Sequence, residues 1–321
     1  MDVYSRFPGP TLGDVGEAAA IRELLAAAPS GLNGDDAAVL GVLAPSSRPV
    51  ITTDALVSGR HFRLDWSEPE EVGVKVVTQN VADIEAMGAR PHALVLSLSA
   101  PPETPVAVAR GIAAGIASEA AEYSAQLVGG DLTTSRDLVL GVSALGALGG
   151  ALPALTLSGA RPGQRLIASG ATGRSAAGLA LIERLGRNAA EEAFPGLVAA
   201  HVAPRLRPNR GIVARAAGAS AATDVSDGLV ADLSTLAERS GVRVDLEAAA
   251  IAPSEEMRAA ADELGEDAWR WALTGGEDHV IVAALEGPAP SGFREIGRVG
   301  RGSGVTVDGR APRYAGGWLS L

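Results

Sequence analysis

Along the chain, short apolar runs alternate with longer stretches in which apolar residues recur every three to four positions, the pattern of strands alternating with amphipathic helices. The segments at 37–43 (AAVLGVL) and 49–54 (PVITTD) read as strands. The stretch 68–88 reads as a helix, with Pro69 in its first turn, acidic residues following and Gly88 just past its end. Within it Val76, Asn80, Asp83 and Met87 fall on one face by their three- and four-residue spacing. Next come an apolar run at 93–99, a helix over about 104–123, and strands at 126–130 and 138–146. The Gly/Pro-rich stretch 149–163 then interrupts the rhythm. It restarts with a strand at 165–170, a helix at 176–185, a strand at 220–224, a helix at 227–240 and a strand at 242–246. Short helices precede a last apolar strand at 279–285, and 295–309 reads as a hairpin.

The pattern predicts an α/β protein of two domains, 1–148 and 149–321, each with more than one strand–helix unit. Aromatic residues are only 3% of the chain against 47% hydrophobic, so the cores must be built from Ala, Val, Leu and Ile. No apolar run reaches the roughly 20 residues that span a bilayer. The first residues lack the basic-then-apolar layout of a signal peptide, so a soluble cytoplasmic protein without membrane partners is expected. Cysteine is absent, which excludes disulfides and thiolate chemistry. A net charge of −11 argues against a general nucleic-acid binder, which needs a basic stripe.

Charge becomes informative when the acidic residues are placed. Asp35 and Asp36 in NGDDAAVL, Asp54 in TTDALVSG, Asp83 in NVADIEAMGA, Asp131 in VGGDLTTS, Asp224 and Asp227 in TDVSDG, and Glu277 and Asp278 in TGGEDH mostly follow an apolar strand or open a helix. The ends of strands are where sites assemble in such folds. Carboxylates and hydroxyls are hard oxygen donors suited to Mg²⁺, which bridges protein carboxylates to substrate phosphates. Any one Gly-Asp pair by itself reads first as a turn; it is their number that points to a shared metal. There is no P-loop and no protein-kinase motif set. The loop at 169–178 (SGATGRSAAG) is either a tight turn or an anion site at a helix N-terminus. His61, His92, His201 and His279 are too scattered for a zinc site, and each by itself reads as a surface or packing residue.

In order and spacing, TTDALVSGRHF, NVADIEAMGARP, LVGGDLTTS, SDGLVADL and TGGED resemble the thiamine-monophosphate kinases, within the aminoimidazole ribonucleotide synthetase-like ATP-binding superfamily. The similarity runs from GDDAAVL to GGW near the end of the chain. It implies ATP-dependent phosphorylation of thiamine monophosphate to thiamine diphosphate, several Mg²⁺ ions, and a homodimer built on strands of the N-terminal domains. By position it implies Mg²⁺ ligands at Asp36, Thr52, Thr53, Asp54, Asp83, Asp131, Asp224 and Asp227. It implies ATP contacts at Tyr123, Gly130, Asp131 and Ser226, and thiamine-side contacts at His61, Glu277 and Trp318. The same resemblance implies direct transfer, with no covalent phospho-enzyme. Two positions depart from the family pattern: Leu157 stands where Arg is common, and His279 where Tyr is common. A selenophosphate synthetase-type reaction would need a catalytic Cys or selenocysteine near the N-terminus, and the chain has no Cys. Other ATP-dependent kinases or synthetases of the superfamily, and a nucleotide-binding maturation protein without turnover, are the alternative readings.

Overall fold

A computed structural model of the chain describes residues 3–32, 37–41 and 46–317. The chain falls into two compact units. The first comprises residues 1–84 and 90–149, and the second comprises 85–89 and 150–321.

In the first unit, α1 (Leu12–Val15) and α2 (Glu17–Ala27) precede β1 (Arg48–Val57), α3 (Pro69–Ala86), β2 (Arg90–Ala100), α4 (Val106–Glu122), β3 (Gln126–Thr134) and β4 (Val139–Leu148). The strands form one sheet in the order β1-β4-β2-β3. β2 and β3 run parallel through the α4 crossover, and the other pairs are antiparallel. Alternation along the strands buries Leu56, Leu94, Leu96, Leu98, Leu140 and Val142 on one face. The other face leaves Ile51 and Val95 exposed. Helices α3 and α4 cross backbone to backbone: a Cβ on Gly115 would lie 2.1 Å from the Glu70 carbonyl oxygen, so only glycine fits there. That close approach fixes where α3 sits, and α3 carries Asn80 and Asp83.

The strand expected at 37–43 does not form at 37–41, and 42–43 lie outside the described residues. Apolar content suggests a strand, but among the described residues none pairs with 37–41, and Val39 stands 85% exposed.

The second unit contains β5 (Arg165–Ala168), α5 (Arg174–Leu185), α6 (Arg187–Ala193), α7 (Pro195–Val202), α8 (Arg210–Ala216), β6 (Ala221–Asp224) and α9 (Leu229–Ser240). It continues through β7 (Arg243–Leu246), α10 (Glu255–Leu264), α11 (Ala268–Thr274), β8 (Ile281–Leu285), β9 (Arg294–Gly300) and β10 (Gly304–Val307). The six-stranded sheet has the order β10-β7-β9-β5-β8-β6. β8 is buried at every position, as its unbroken apolar run demands. Its core is aliphatic, with Leu166, Leu229, Leu233, Leu236, Val244, Val282 and Val299 in one cluster.

The hairpin expected over 295–309 is not one. β9 and β10 do not pair; β7 lies between them, antiparallel to β9 and parallel to β10. The glycine-rich turn supplies the reversal that a hairpin needs, but each strand finds its partner in β7 instead.

Candidate active site

In the first unit, β1 and α3 face each other with polar groups. Thr52 Oγ1 donates to Asp83 Oδ2 at 2.6 Å. The Asp54 amide donates to Asn80 Oδ1 at 3.2 Å, and Asn80 Nδ2 donates to the Val76 carbonyl at 2.9 Å. Asn80 is fully buried, so each end of its amide needs a partner, and these two contacts supply them. Of the four residues expected on one face, Asn80 and Asp83 meet β1, while Met87 lies past the end of α3. Thr53, one residue along, turns to the opposite side of the sheet, donating to the Val142 carbonyl at 2.9 Å and accepting from Ser143 Oγ at 3.0 Å. Consecutive strand residues cannot share a face, so Thr52 and Asp54 group with Asp83 while the Thr53 side chain does not.

Gly130 and Asp131 lie in β3, in register with Leu96 and Ser97 of β2. Asp131 is exposed and borders a cavity of about 230 Å³ walled by Leu24, Leu25, Leu96 and Leu98. Tyr123 is buried at the C-cap of α4, 4% exposed, so its ring is part of the core. His61 accepts the Val57 amide hydrogen on Nδ1 at 3.0 Å. Because that nitrogen accepts, the neutral ring carries its hydrogen on Nε2. Asp36 and Trp318 lie outside the described residues.

In the second unit, β6 ends at Asp224 and the loop 225–228 leads into α9. Asp232, in the first turn of α9, accepts the amide hydrogens of Asp227 and Gly228 at 3.1 and 3.0 Å. Burial, and then the charge of Asp224, raise the pKa of Asp227. Asp232 is pushed up to about 7 by burial first, then by Asp224 and Asp227, against the pull of the two amides. Asp232 is not among the residues expected from sequence. Its spacing, five positions past Asp227 and in a first turn where acids are common, reads as ordinary helix capping.

A second loop, 275–280, runs beside the first. The amide of Glu277 donates to the Ser226 carbonyl at 2.7 Å, and that of His279 to the Val225 carbonyl at 2.8 Å. Glu277 and His279 both have left-handed backbone, φ 63° and 51°, which L residues adopt at a cost. The zigzag sends three successive side chains to three places. Glu277 Oε2 lies 3.5 Å from His201 Nδ1, which also contacts Ser175 Oγ at 3.1 Å. Asp278 accepts the amides of Gly173 and Ser175, the latter at 3.0 Å. His279 Nδ1 lies 3.2 Å from Asp224 Oδ2.

These contacts bear on three positions that the sequence leaves open. The anion at the N-terminus of α5 is the protein's own Asp278, which takes up the amides an external ligand would use. Of the surface and packing roles open to them, His201 and His279 take the buried one, 4% and 2% exposed, against carboxylates. Leu157 packs on the core of the second unit, so its position supplies no cation.

Burial pushes Asp278 up to about 6, against the lowering pull of the Ser175 and Gly173 amides. Between its unfolded value of 3.8 and about 6, the folded chain keeps a proton that the unfolded chain releases. This residue's contribution to stability is therefore greatest below pH ~4 and falls as pH rises through that window. Asp278→Asn, which cannot ionise, is expected to remove that slope. Urea midpoints of wild type and variant from pH 4 to 7 should diverge with the wild type falling; parallel curves would contradict the assignment.

Among the described residues, no three His, Asp or Glu side chains converge as direct ligands for one ion. Mg²⁺ keeps several waters and takes one or two carboxylates plus substrate phosphate, so it needs no closed cage of protein ligands. The donor set is all oxygen, and the mutual repulsion of Asp224, Asp227 and Asp232 is a charge that a divalent cation would offset. The residues present fit the metal.

Residues 34–148 match the profile of AIR synthase related protein, N-terminal domain, and 161–307 that of the C-terminal domain. The chain is 55% identical to the thiamine-monophosphate kinase of Corynebacterium glutamicum, over 98% of this chain and 96% of that one. The chain belongs to the thiamine-monophosphate kinase family. To the thiamine-monophosphate kinase of Mycobacterium tuberculosis it is 47% identical over 97% of its length and 93% of the relative's. The solved structure of AaThiL complexed with AMPPCP and TMP superposes with a TM-score of 0.80 at 30% identity, covering 98% of this chain and 100% of that one. The two-domain α/β fold expected from the sequence is the fold of this kinase family.

Proposed function

We propose that this chain transfers the γ-phosphate of ATP to the phosphate of thiamine monophosphate, giving thiamine diphosphate. The carrying observation is near-full-length similarity to thiamine-monophosphate kinases, together with a related structure holding AMPPCP, an ATP analogue, and TMP. As the acceptor is already a phosphate oxyanion, no protein base is needed to create the nucleophile, and catalysis is positioning plus charge neutralisation.

In this reading Asp54, Asp83 and Asp131 of the first unit and Asp224 and Asp227 of the second hold magnesium, with Asp36 and the Thr52–Thr53 segment alongside. Bound there, magnesium neutralises phosphate charge that would otherwise keep donor and acceptor apart. Thr52 and Asn80 fix Asp83 and the Asp54 backbone before substrate arrives. Gly130, Asp131 and Ser226 are read as the ATP side, whereas the Tyr123 ring, expected there too, is buried in the core. His61, with Nε2–H held ready by its bond to Val57, Glu277 and Trp318 are read as the thiamine side.

A homodimer is part of the same reading. Ile51 and Val95 stand 76% and 42% exposed on the sheet face opposite Leu96 and Leu140, and a second copy would cover them. A cytoplasmic location belongs to it too, since the phosphate donor is ATP. Among the described residues, no helix is long and apolar enough to cross a membrane.

The test is ATP consumption by purified protein against thiamine monophosphate, free thiamine and other phosphorylated acceptors. Turnover is expected with thiamine monophosphate and little with free thiamine, which brings no phosphate oxygen. Equal or faster turnover of free thiamine would overturn the reading.

A further inference from the structure

His279 and Asp224 meet inside the second unit. The imidazole is 2% exposed and the carboxylate 8%, and Nδ1 lies 3.2 Å from Oδ2. An ionised carboxylate only accepts, so this contact is a hydrogen bond when Nδ1 carries the hydrogen. Two features fix the backbone that carries the ring. The His279 amide is bonded to the Val225 carbonyl, one residue past Asp224, and the backbone at His279 is left-handed, φ 51°. The Asp224 backbone is fixed as well, since it pairs with Ile281 across β6 and β8. Backbone pairing alone leaves the carboxylate able to rotate about its side-chain bonds. A donor on one oxygen removes that rotation and leaves the other oxygen oriented. In this cluster the effect matters, because Asp224 also bears on the charges of Asp227 and Asp232.

We propose that His279 is a positioning residue: it holds the Asp224 carboxylate in the orientation that binds a divalent cation. The proposal rests on the reading of Asp224 as a magnesium ligand. Groups that orient a ligating side chain in this way commonly change metal affinity by about 10–100-fold when removed. His279 does so without touching substrate or ion, which distinguishes it from Asp224 itself. An imidazole places its donor one bond beyond Cγ, where a phenol places it at the far end of the ring.

The experiment compares His279→Asn and His279→Gln. Asn puts an amide nitrogen where Nδ1 sits and tolerates left-handed backbone; Gln puts its amide one bond further out. Binding of Mn²⁺ alone, followed by paramagnetic resonance in the nucleotide-free protein, is the main readout. The metal-free melting temperature of each variant checks the fold. His279→Gln is expected to bind Mn²⁺ about tenfold more weakly and to need correspondingly more Mg²⁺ for half-maximal rate. His279→Asn should stay within about threefold of wild type. Equal weakening in Asn and Gln variants, or none in either, overturns the proposal. Asp224→Asn separates the two levels. If it binds Mn²⁺ like wild type, the metal reading of Asp224 fails and the positioning role with it. If it loses the ion while His279→Gln does not, only the positioning role is wrong.

Discussion

Asp83→Asn is expected to lower kcat by about 10²-fold or more while leaving the melting temperature nearly unchanged. Asn has the shape of Asp, and its amide oxygen can still accept from Thr52 Oγ1, which now holds the Asp83 carboxylate at 2.6 Å. The α3–β1 contact therefore survives, anchored independently through Asn80 and the Asp54 amide. What disappears is one negative charge at a place where, on the proposed reading, a cation must be held against two phosphates. Removing electrostatic stabilisation of a transition state typically costs about 3 kcal/mol, and each 1.36 kcal/mol is tenfold in rate. The decisive measurement is kcat across a magnesium titration, paired with thermal unfolding. Near-wild-type rates at saturating Mg²⁺ would remove Asp83 from the metal site. Loss of rate with an equal loss of stability would make it a structural residue.

Much of the fold and of the site is legible in the chain itself. The helix at 69–86 and its polar face can be read because three- and four-residue spacing brings Asn80 and Asp83 together whatever the tertiary context. The acidic motifs stand out in the same local way, but among the described residues only Asp224 ends a strand as expected; Asp54 and Asp131 lie within β1 and β3, and Asp83 within α3. What escapes are features made by distant parts of the chain. Nothing near Asp278 in sequence says that it caps α5, because its partners are more than a hundred residues away. The insertion of β7 between β9 and β10 is a pairing choice that local turn chemistry cannot reveal. Asp232 is hidden in a different way, since a first-turn acid looks like routine capping until its two amide partners prove to be Asp227 and Gly228. Adjacency groups Thr53 with Thr52 and Asp54, although strand alternation alone separates its side chain from theirs.

Asp83 and Glu85, two residues apart in NVADIEAMGA, illustrate how the same motif holds acids of different kinds. Glu85 belongs to the second unit and is fully buried. Its two carboxylate oxygens accept the amides of Asn209 and Gly211, each at 2.7 Å, at the start of α8. The fit is close: a Cβ on Gly211 would lie 1.6 Å from the Glu85 carbonyl oxygen. Glu85→Ala would strand the buried Gly211 amide and the partly buried Asn209 amide, at about 1–3 kcal/mol each, with the buried bond to a charged acceptor at the upper end. A loss of about 3–4 kcal/mol follows, most of it from the Gly211 amide. For a unit of this size that corresponds to a fall in melting temperature of roughly 10 °C. Glu85→Gln should fall by less, because one oxygen still accepts while its NH₂ faces the second amide. Gly211→Ala should destabilise through the clash with no change in charge. If the role is structural, all three variants keep their Mg²⁺ requirement at temperatures where they are folded. A Glu85→Gln variant that is stable yet needs far more Mg²⁺ would move Glu85 into the same class as Asp83. Thermal unfolding with and without Mg²⁺, alongside rates at low temperature, distinguishes a carboxylate that builds the second unit from one that handles phosphate.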